Sequence, residues 1–225
     1  MNRWLSFVLI LSISLLFGAD KVAMAVKVKG DVKVYKVDTA DGISLKPGTP
    51  IHDQDKIVSN GKKSSAMIMF LDDKSILKIR ENSQFVVGGK KSPEGISKNI
   101  NLGYGKMTAN VSPQKGKQFV VSTPTSVASV KGTEFFISSD PTDGDQFILF
   151  SGLLEVENGV SGQIINMTEG ETANSSPDGD LESHETTEEE MEESEEEDSG
   201  QVNELRFQFE DESGNTKEVI IQFSE

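Results

Sequence analysis

The chain has 225 residues, no cysteine and a formal net charge of −15 at pH 7. The absence of cysteine excludes disulfide bonds and thiol catalysis, so the fold must be held together by its core. The charge is divided unevenly, because the stretch 182–225 holds 17 acidic and 2 basic residues while the preceding body is nearly neutral. Neither part has the basic face that nucleic-acid binding requires, so we expect no nucleic-acid partner.

Residues 1–25 have the features of an export signal. Arg3 precedes an apolar run from Trp4 to Ala19, and Ala23-Met24-Ala25 supplies small residues at the positions that a signal peptidase recognises. We therefore expect cleavage before Val26 and an extracytoplasmic location, either periplasmic or secreted. The alternative is an uncleaved membrane anchor, although the run is slightly shorter than the roughly 20 residues that span a bilayer.

Alternation of apolar and polar residues dominates the stretch 26–174. Val26 and Val28 alternate with lysines, and such a period of two is typical of half-buried strands. Runs of the same kind follow at 32–35, 56–58, 65–70, 76–80, 84–87, 100–102, 107–111, 119–122, 134–138, 146–150, 153–157 and 162–167. Turns are expected at the interruptions, among them Asn60-Gly61 and the glycines at 103 and 105. The pattern predicts an all-β domain of many short strands, built as a sandwich, a roll or a solenoid-like stack.

One interruption of the β-rich body is unusual, because two aromatic residues, Phe135 and Phe136, follow Lys131-Gly132-Thr133 after only one residue. A phosphate-binding loop needs several glycines ahead of a helix, whereas this single glycine lies between strands. We therefore expect Gly132 to let the chain bend and the Thr133 hydroxyl to satisfy a neighbouring backbone group. Phe135, together with Ile137 or Phe136, is expected to fill the core.

Candidates for catalysis are few. His52 could be combined with a neighbouring aspartate and one of many serines, but no nucleophile elbow accompanies it, and a solvated loop histidine is the plainer interpretation. His184 lies within an acidic stretch. We therefore expect no enzymatic activity and no cofactor.

Three acidic residues bunch around a glycine at Asp140, Asp143 and Asp145. Calcium prefers several oxygens from a short flexible loop, which makes these residues calcium candidates. Their spacing fits neither the EF-hand loop nor the nonapeptide repeat, and Asp-Gly loops are also ordinary hairpin turns.

The composition changes at the C-terminal end. Between Glu182 and Asp198 there are eleven acidic residues, no lysine or arginine, and Met191 as the only apolar residue, so we predict a disordered acidic linker over 175–201. The stretch 202–225 alternates on both sides of a Ser-Gly-Asn turn, which predicts a β-hairpin. An isolated hairpin is marginal in water, so its apolar face needs the parent domain or another protein. The partner-binding candidates on this face are Leu205, Phe207, Phe209, Val219, Ile221 and Phe223.

The sequence around Gly132 also resembles a family signature. Thr123-Pro124, then small residues, then Lys131-Gly132-Thr133 with Phe135 two positions later, is similar to the Thr-Pro and Arg-Gly-Thr-x-Phe elements of the FecR domain family. Further matching elements occur in order at 55–61, 66–70, 72–79, 102–105 and 147–156, so the resemblance covers roughly 28–172. Two positions depart from the family pattern. Lys131 stands where arginine is usual, and Lys74 replaces the glycine of an Asp-Gly-Ser turn.

The resemblance implies an extracytoplasmic domain that works through protein contacts. Well-known members are signal transducers that join a periplasmic FecR domain, through one membrane helix, to a cytoplasmic segment that handles a sigma factor. Only Met1-Asn2-Arg3 precedes the apolar run in this sequence, so we expect a stand-alone extracytoplasmic version unless another protein supplies the cytoplasmic half.

These features predict a non-catalytic protein-interaction or sensory module of the cell envelope, with an envelope protein as its partner. The membrane would be contacted only through an uncleaved N-terminal segment. The alternative is a wall- or surface-associated structural protein that binds polysaccharide or calcium.

Overall fold

The computed structural model describes residues 20–195 except residue 38, and the backbone of two C-terminal strands. Within these parts the chain is all-β apart from one short helix, as the alternation predicts. No helix in the described parts is long and apolar enough to cross a membrane. The elements in chain order are β1 (Lys21–Tyr35), β2 (Ile43–Ser44), β3 (Pro50–His52), β4 (Asp55–Phe70), β5 (Ile76–Ile79), β6 (Ser83–Ser92), β7 (Gly95–Val111), β8 (Phe119–Ser122), β9 (Ser126–Val130), β10 (Thr133–Asp140), β11 (Gly144–Ser151), β12 (Leu154–Asn158), β13 (Ile164–Met167), β14 (Glu171–Ser175), β15 (Leu181–Glu185), α1 (Glu188–Glu195), β16 (Asn203–Glu210) and β17 (Thr216–Phe223).

The first fifteen strands form one branched sheet. One half of β4 pairs with β5 and the other half with β6, and both of these strands pair with β7. Along the other edge of β7, its first half pairs with β8 and its second half with β10. One branch continues from β8 through β9, β12 and β13, and the other from β10 through β11, β14 and β15. β7 and β8 run parallel. These strands belong to one sheet and share one apolar cluster, so the sheet curls around its core, which is the roll among the three expected arrangements.

Three strands, β1, β4 and β7, are much longer than the short runs that the sequence predicts. β4 continues through Gly61 and β7 through Gly105, both at positions where turns were expected. The φ angles of these glycines are 73° and 104°, so each glycine bends a strand without ending it. A Cβ on Gly105 would lie 2.5 Å from the Cα of Ser83, which leaves no room for a side chain.

One large apolar cluster fills the interior of the roll. It takes alternate residues from the strands, such as Phe135 and Ile137 of β10, both fully buried. The rings of Phe70 and Phe119 meet edge to face, with centroids 5.9 Å apart. Each large apolar side chain contributes about 1.5–3 kcal/mol on burial, which is the main source of stability in a chain without disulfides.

The first strand begins upstream of the boundary expected at Val26. β1 starts at Lys21, and Val22, Ala23 and Ala25 are fully buried in the main cluster. Over this stretch β1 pairs with both β3 and β4. Small residues suit a crowded core position as well as a peptidase site, which explains why the sequence pattern is ambiguous. The remainder of the predicted signal, 1–19, lies outside the described residues.

The predicted disordered linker has defined structure as far as Glu195. β15 pairs with β14, and Leu181 belongs to the main apolar cluster with 4% of its surface exposed. The helix α1 follows directly, while residues 196–202 lie outside the described residues. The expectation of disorder is therefore corrected for 175–195, because contacts with the sheet offset the repulsion among the acidic side chains.

Candidate functional site

The Gly132-Thr133 step forms a corner between β9 and β10. Gly132 has a φ of 101°, and a Cβ there would lie 3.2 Å from the Cα of Pro113. The facing corner is Gly152, whose Cβ would come within 2.5 Å of the Gly132 carbonyl oxygen. The Thr133 hydroxyl donates to the carbonyl oxygen of Leu153 at 2.8 Å. The step therefore joins two closely packed corners, and its glycine has a conformational role.

Thr123 holds the turn between β8 and β9 to a buried carboxylate. Its hydroxyl accepts a hydrogen bond from the N–H of Ser126 at 2.8 Å and donates to Oδ2 of Asp145 at 2.5 Å. The Ser126 hydroxyl donates to the same oxygen at 2.6 Å, and Asp145 is only 4% exposed. Pro124 and Lys131 are exposed at the two ends of β9. The Thr-Pro element thus connects β8 and β9 to β11.

The three calcium candidates take different roles. Oδ1 of Asp140 accepts hydrogen bonds from the N–H groups of Thr142 and Asp143 at 2.7 and 3.1 Å, so it closes its own turn. These bonds hold the pKa of Asp140 below its usual value. Asp145 is buried against hydroxyl groups. Over the described ranges, no three His, Cys, Asp or Glu side chains are placed to hold a metal ion.

His52 belongs to a polar cluster at the end of β3. Its N–H donates to Oδ2 of Asp55 at 2.8 Å, and its Nδ1 lies 3.2 Å from Nζ of Lys36. Lys36 also donates to Asp55 at 2.5 Å, and Asp55 is 1% exposed. The cluster connects the end of β1 to β3 and β4, so His52 has more contacts than a solvated loop histidine.

A buried ion cluster around Lys98 was missed by the sequence analysis. The Lys98 side chain is fully buried and lies 2.7 Å from Asp73 and 3.0 Å from Asp72. Lys117 donates to Asp72 at 2.6 Å. Burial raises the pKa of Asp72, but hydrogen bonds from Lys117, the Ile96 N–H and Lys98 outweigh it and lower the pKa to about 2. Two acids and two lysines neutralise one another, so the cluster holds the β4–β5 turn against β7.

Two adjacent strands carry fully buried residues on the face opposite the main core. β10 contains the run Phe135-Phe136-Ile137 and β11 the run Phe147-Ile148-Leu149, and only the outer members of each run belong to the main cluster. The register pairs Phe136 with Ile148, and both are 0% exposed. An uninterrupted apolar run is typical of a strand that is covered on both faces. This was the sequence signal for a second covered surface.

The acidic helix α1 lies on this outer face. The guanidinium of Arg80 stacks over the Phe136 ring at 4.7 Å and donates to the carbonyl oxygens of Glu193, at 3.2 Å, and Ser194. Lys106 pairs with the Glu193 carboxylate at 2.7 Å. A cation at the last carbonyls of a helix satisfies acceptors that have no partner within the helix, and it opposes the negative end of the helix dipole.

Glu190 fixes the other end of α1. The N–H of Thr187 donates to Oε2 of Glu190 at 2.9 Å, and the N–H of Glu190 donates to the Thr187 hydroxyl at 3.3 Å, which is a capping box. Gln146, Thr172 and His184 place polar atoms 3.2, 3.3 and 3.0 Å from the same carboxyl group. Burial raises the pKa of Glu190, but the bonds from Thr187 and His184 outweigh it and hold the pKa below its usual value. The Thr-x-x-Glu spacing was a helix-start signal that the lack of a following apolar run obscured.

The C-terminal strands form a two-stranded sheet of their own. β16 and β17 pair antiparallel, with Leu205 opposite Ile221 and Phe207 opposite Val219. This is the hairpin that the alternation predicts. The side chains of the six partner-binding candidates lie outside the described residues.

Comparison with known proteins gives both a family match and a fold match. Residues 55–155 match the model of the FecR protein family. A crystal structure at 2.50 Å of a Parabacteroides distasonis protein, provisionally described as an anti-sigma factor, is 16% identical with a TM-score of 0.50, and the match covers 58% of this chain and 59% of that chain. A second structure from that organism with the same description, at 1.65 Å, is 15% identical with a TM-score of 0.54, covering 71% and 70%. No curated protein matches the chain.

The matched segment fits the structure that has been described. It starts with β4 and ends within β12, and it contains the Thr123-Pro124 turn, the Gly132 corner and the cluster around Lys98. At 15–16% identity the two crystal structures show a shared fold. Residues 55–155 are therefore similar to the FecR protein family, and they lie within a rolled sheet whose strands continue beyond that segment on both sides.

Proposed function

We propose that the chain is an exported, non-catalytic protein-interaction or sensory module of the cell envelope. The FecR match supports a regulatory role, and so does the fold shared with proteins described as anti-sigma factors. The apolar run at 4–19 supports export. The polar clusters support a non-catalytic role, since the carboxylates of Asp55, Asp145 and Glu190 are each held by side chains of neighbouring strands or turns.

The observation that carries this proposal is the separate C-terminal hairpin. β16 and β17 form a sheet apart from the fifteen-stranded roll. A two-stranded hairpin is at best marginally stable alone in water, so it gains stability from a surface that receives its apolar residues. A strand can also add to the sheet edge of another protein through main-chain hydrogen bonds. We assign the envelope partner to this hairpin.

A pull-down from envelope extracts tests the assignment. The full chain is expected to retain an envelope protein, and deletion of residues 203–225 is expected to abolish the retention. Phe207→Asp should act like the deletion, whereas the neighbouring Gln208→Asp serves as the control with the same added charge. Retention of the same partner by the deleted chain would refute the proposal. Retention on purified cell wall without a protein partner, or unfolding that a chelator promotes, would favour the polysaccharide- or calcium-binding alternative.

A further inference from the structure

We propose that the outer face beneath α1 is a binding site for an acidic helix of a partner protein, and that α1 occupies this site when the partner is absent. The inference rests on the proposed function, because it assigns a second contact surface to an interaction module. We call this surface the helix site; it consists of Arg80, Lys106, Phe136, Gln146 and Ile148.

The helix site has the chemistry to receive a helix end. Phe136 and Ile148 form a fully buried apolar centre on the outer face of β10 and β11. At one end, Arg80 donates to the terminal helix carbonyls and Lys106 pairs with a carboxylate. At the other end, Gln146 donates to a second carboxylate at 3.2 Å. The site therefore selects a negatively charged helix whose C-terminal carbonyls are free.

The helix α1 binds to the helix site largely through polar contacts. The helix has eight residues, and isolated helices shorter than about 12–15 residues are marginal in water, so α1 depends on its docking. Met191 is its only apolar residue. The Lys106–Glu193 pair is 38% and 52% exposed, and such surface pairs contribute little and weaken with salt.

The helix α1 has an advantage over a free helix because it is covalently linked to the domain that carries the helix site. The helix follows β15 after two residues, and a short link of this kind raises the effective concentration to about the millimolar range. A partner helix must overcome that advantage with contacts that α1 lacks. Larger apolar side chains against Phe136 and Ile148 would supply them. The expected partner segment is thus acidic on one face and apolar on the other.

The test uses the full chain with Met191→Pro, which removes the hydrogen bond from the Met191 N–H to the Thr187 carbonyl and disrupts α1. The probe is a fluorescent, C-terminally amidated peptide with the sequence of residues 186–195. We expect hydrogen exchange at 188–195 to become fast in this variant, and the peptide to bind it at least tenfold more tightly than it binds the unaltered chain. Added Arg80→Ala should weaken peptide binding at least tenfold, and higher salt should weaken it as well. Added Lys29→Ala, at an exposed site on β1, should have no effect.

Three outcomes would overturn the proposal. The first is a folded Met191→Pro variant with fast hydrogen exchange in α1 that does not bind the peptide at about 1 mM, which is the effective concentration of the tethered helix. The second is binding that Arg80→Ala leaves unchanged. The third is a concentration-dependent dimer of the unaltered chain that Met191→Pro abolishes, which would make a second copy the occupant.

Glu190→Lys offers an independent way to release α1 if the proline variant does not fold. Neither variant alters the hairpin, so the pull-down tests the proposed function separately.

Discussion

Replacing Gly132 by valine tests the account of the corner between β9 and β10. The backbone there has a φ of 101°, a conformation that costs a non-glycine residue about 1–3 kcal/mol. The added side chain would also begin 3.2 Å from the Cα of Pro113, which is a backbone atom and cannot rotate away. Overpacking of this kind adds about 1–3 kcal/mol. We therefore expect the free energy of unfolding to fall by about 2–6 kcal/mol, or the melting temperature by about 4–24 °C.

Gly48→Val separates the two contributions. Gly48 has a φ of 84°, but no atom lies within 4 Å of the position that a Cβ would take, so its substitution carries the backbone cost alone. Urea unfolding of both variants, followed by far-ultraviolet circular dichroism, gives the two free energies on one scale. A Gly132→Val variant within about 0.5 kcal/mol of the unaltered protein would refute the account of the corner. Equal losses in the two variants would show that the contact with Pro113 costs nothing.

Three further predictions concern β1 and the buried ion cluster. Mass spectrometry of the protein purified from its native cells should find the N-terminus at or before Lys21, because cleavage before Val26 would remove buried core residues. A folded product that starts at Val26 would contradict the assignment of β1. Lys98→Ala leaves Asp72 and Asp73 with one fewer cation, so we expect the unfolding free energy to drop by about 3–5 kcal/mol, against no more than about 0.5 for the exposed Lys29→Ala. The pKa of Asp72 is lowered from 3.8 to about 2. The ionised carboxylate therefore stabilises the fold above pH 4, by at most about 2 kcal/mol before solvent screening. This contribution should disappear as the pH falls from about 4 to 2. Urea titrations across that range measure the loss, and a flat profile would show that Asp72 is not held by the lysines.

Alternation along the chain predicts most of the strands, because each strand of the roll presents one face to the apolar interior. It fails where a strand bends without ending. Gly61 and Gly105 lie in stretches whose composition is typical of turns. In the structure, however, β4 and β7 continue beyond these glycines. Whether a glycine turns the chain back or bends it depends on which partner strands are present, and local sequence does not contain that information.

Local charge is also an incomplete guide to the structure of the acidic segment. Repulsion among glutamates favours disorder in an isolated segment. In the folded protein, Arg80 and Lys106 lie beside α1, and both come from parts of the sequence far from it, whereas His184 lies within the acidic segment. The uninterrupted apolar runs of β10 and β11 indicated that a second face is covered. Only the folded chain shows that α1 covers it.

The sequence by itself determined the class of the fold and the C-terminal hairpin, since both depend on periodicity, and it also indicated the resemblance to the FecR family. The tertiary structure decided where β1 begins, how Lys98 is neutralised and what lies over Phe136. Each of these depends on groups that are far apart along the chain, and their interaction energies exist only once the sheet has rolled up and brought them within contact distance.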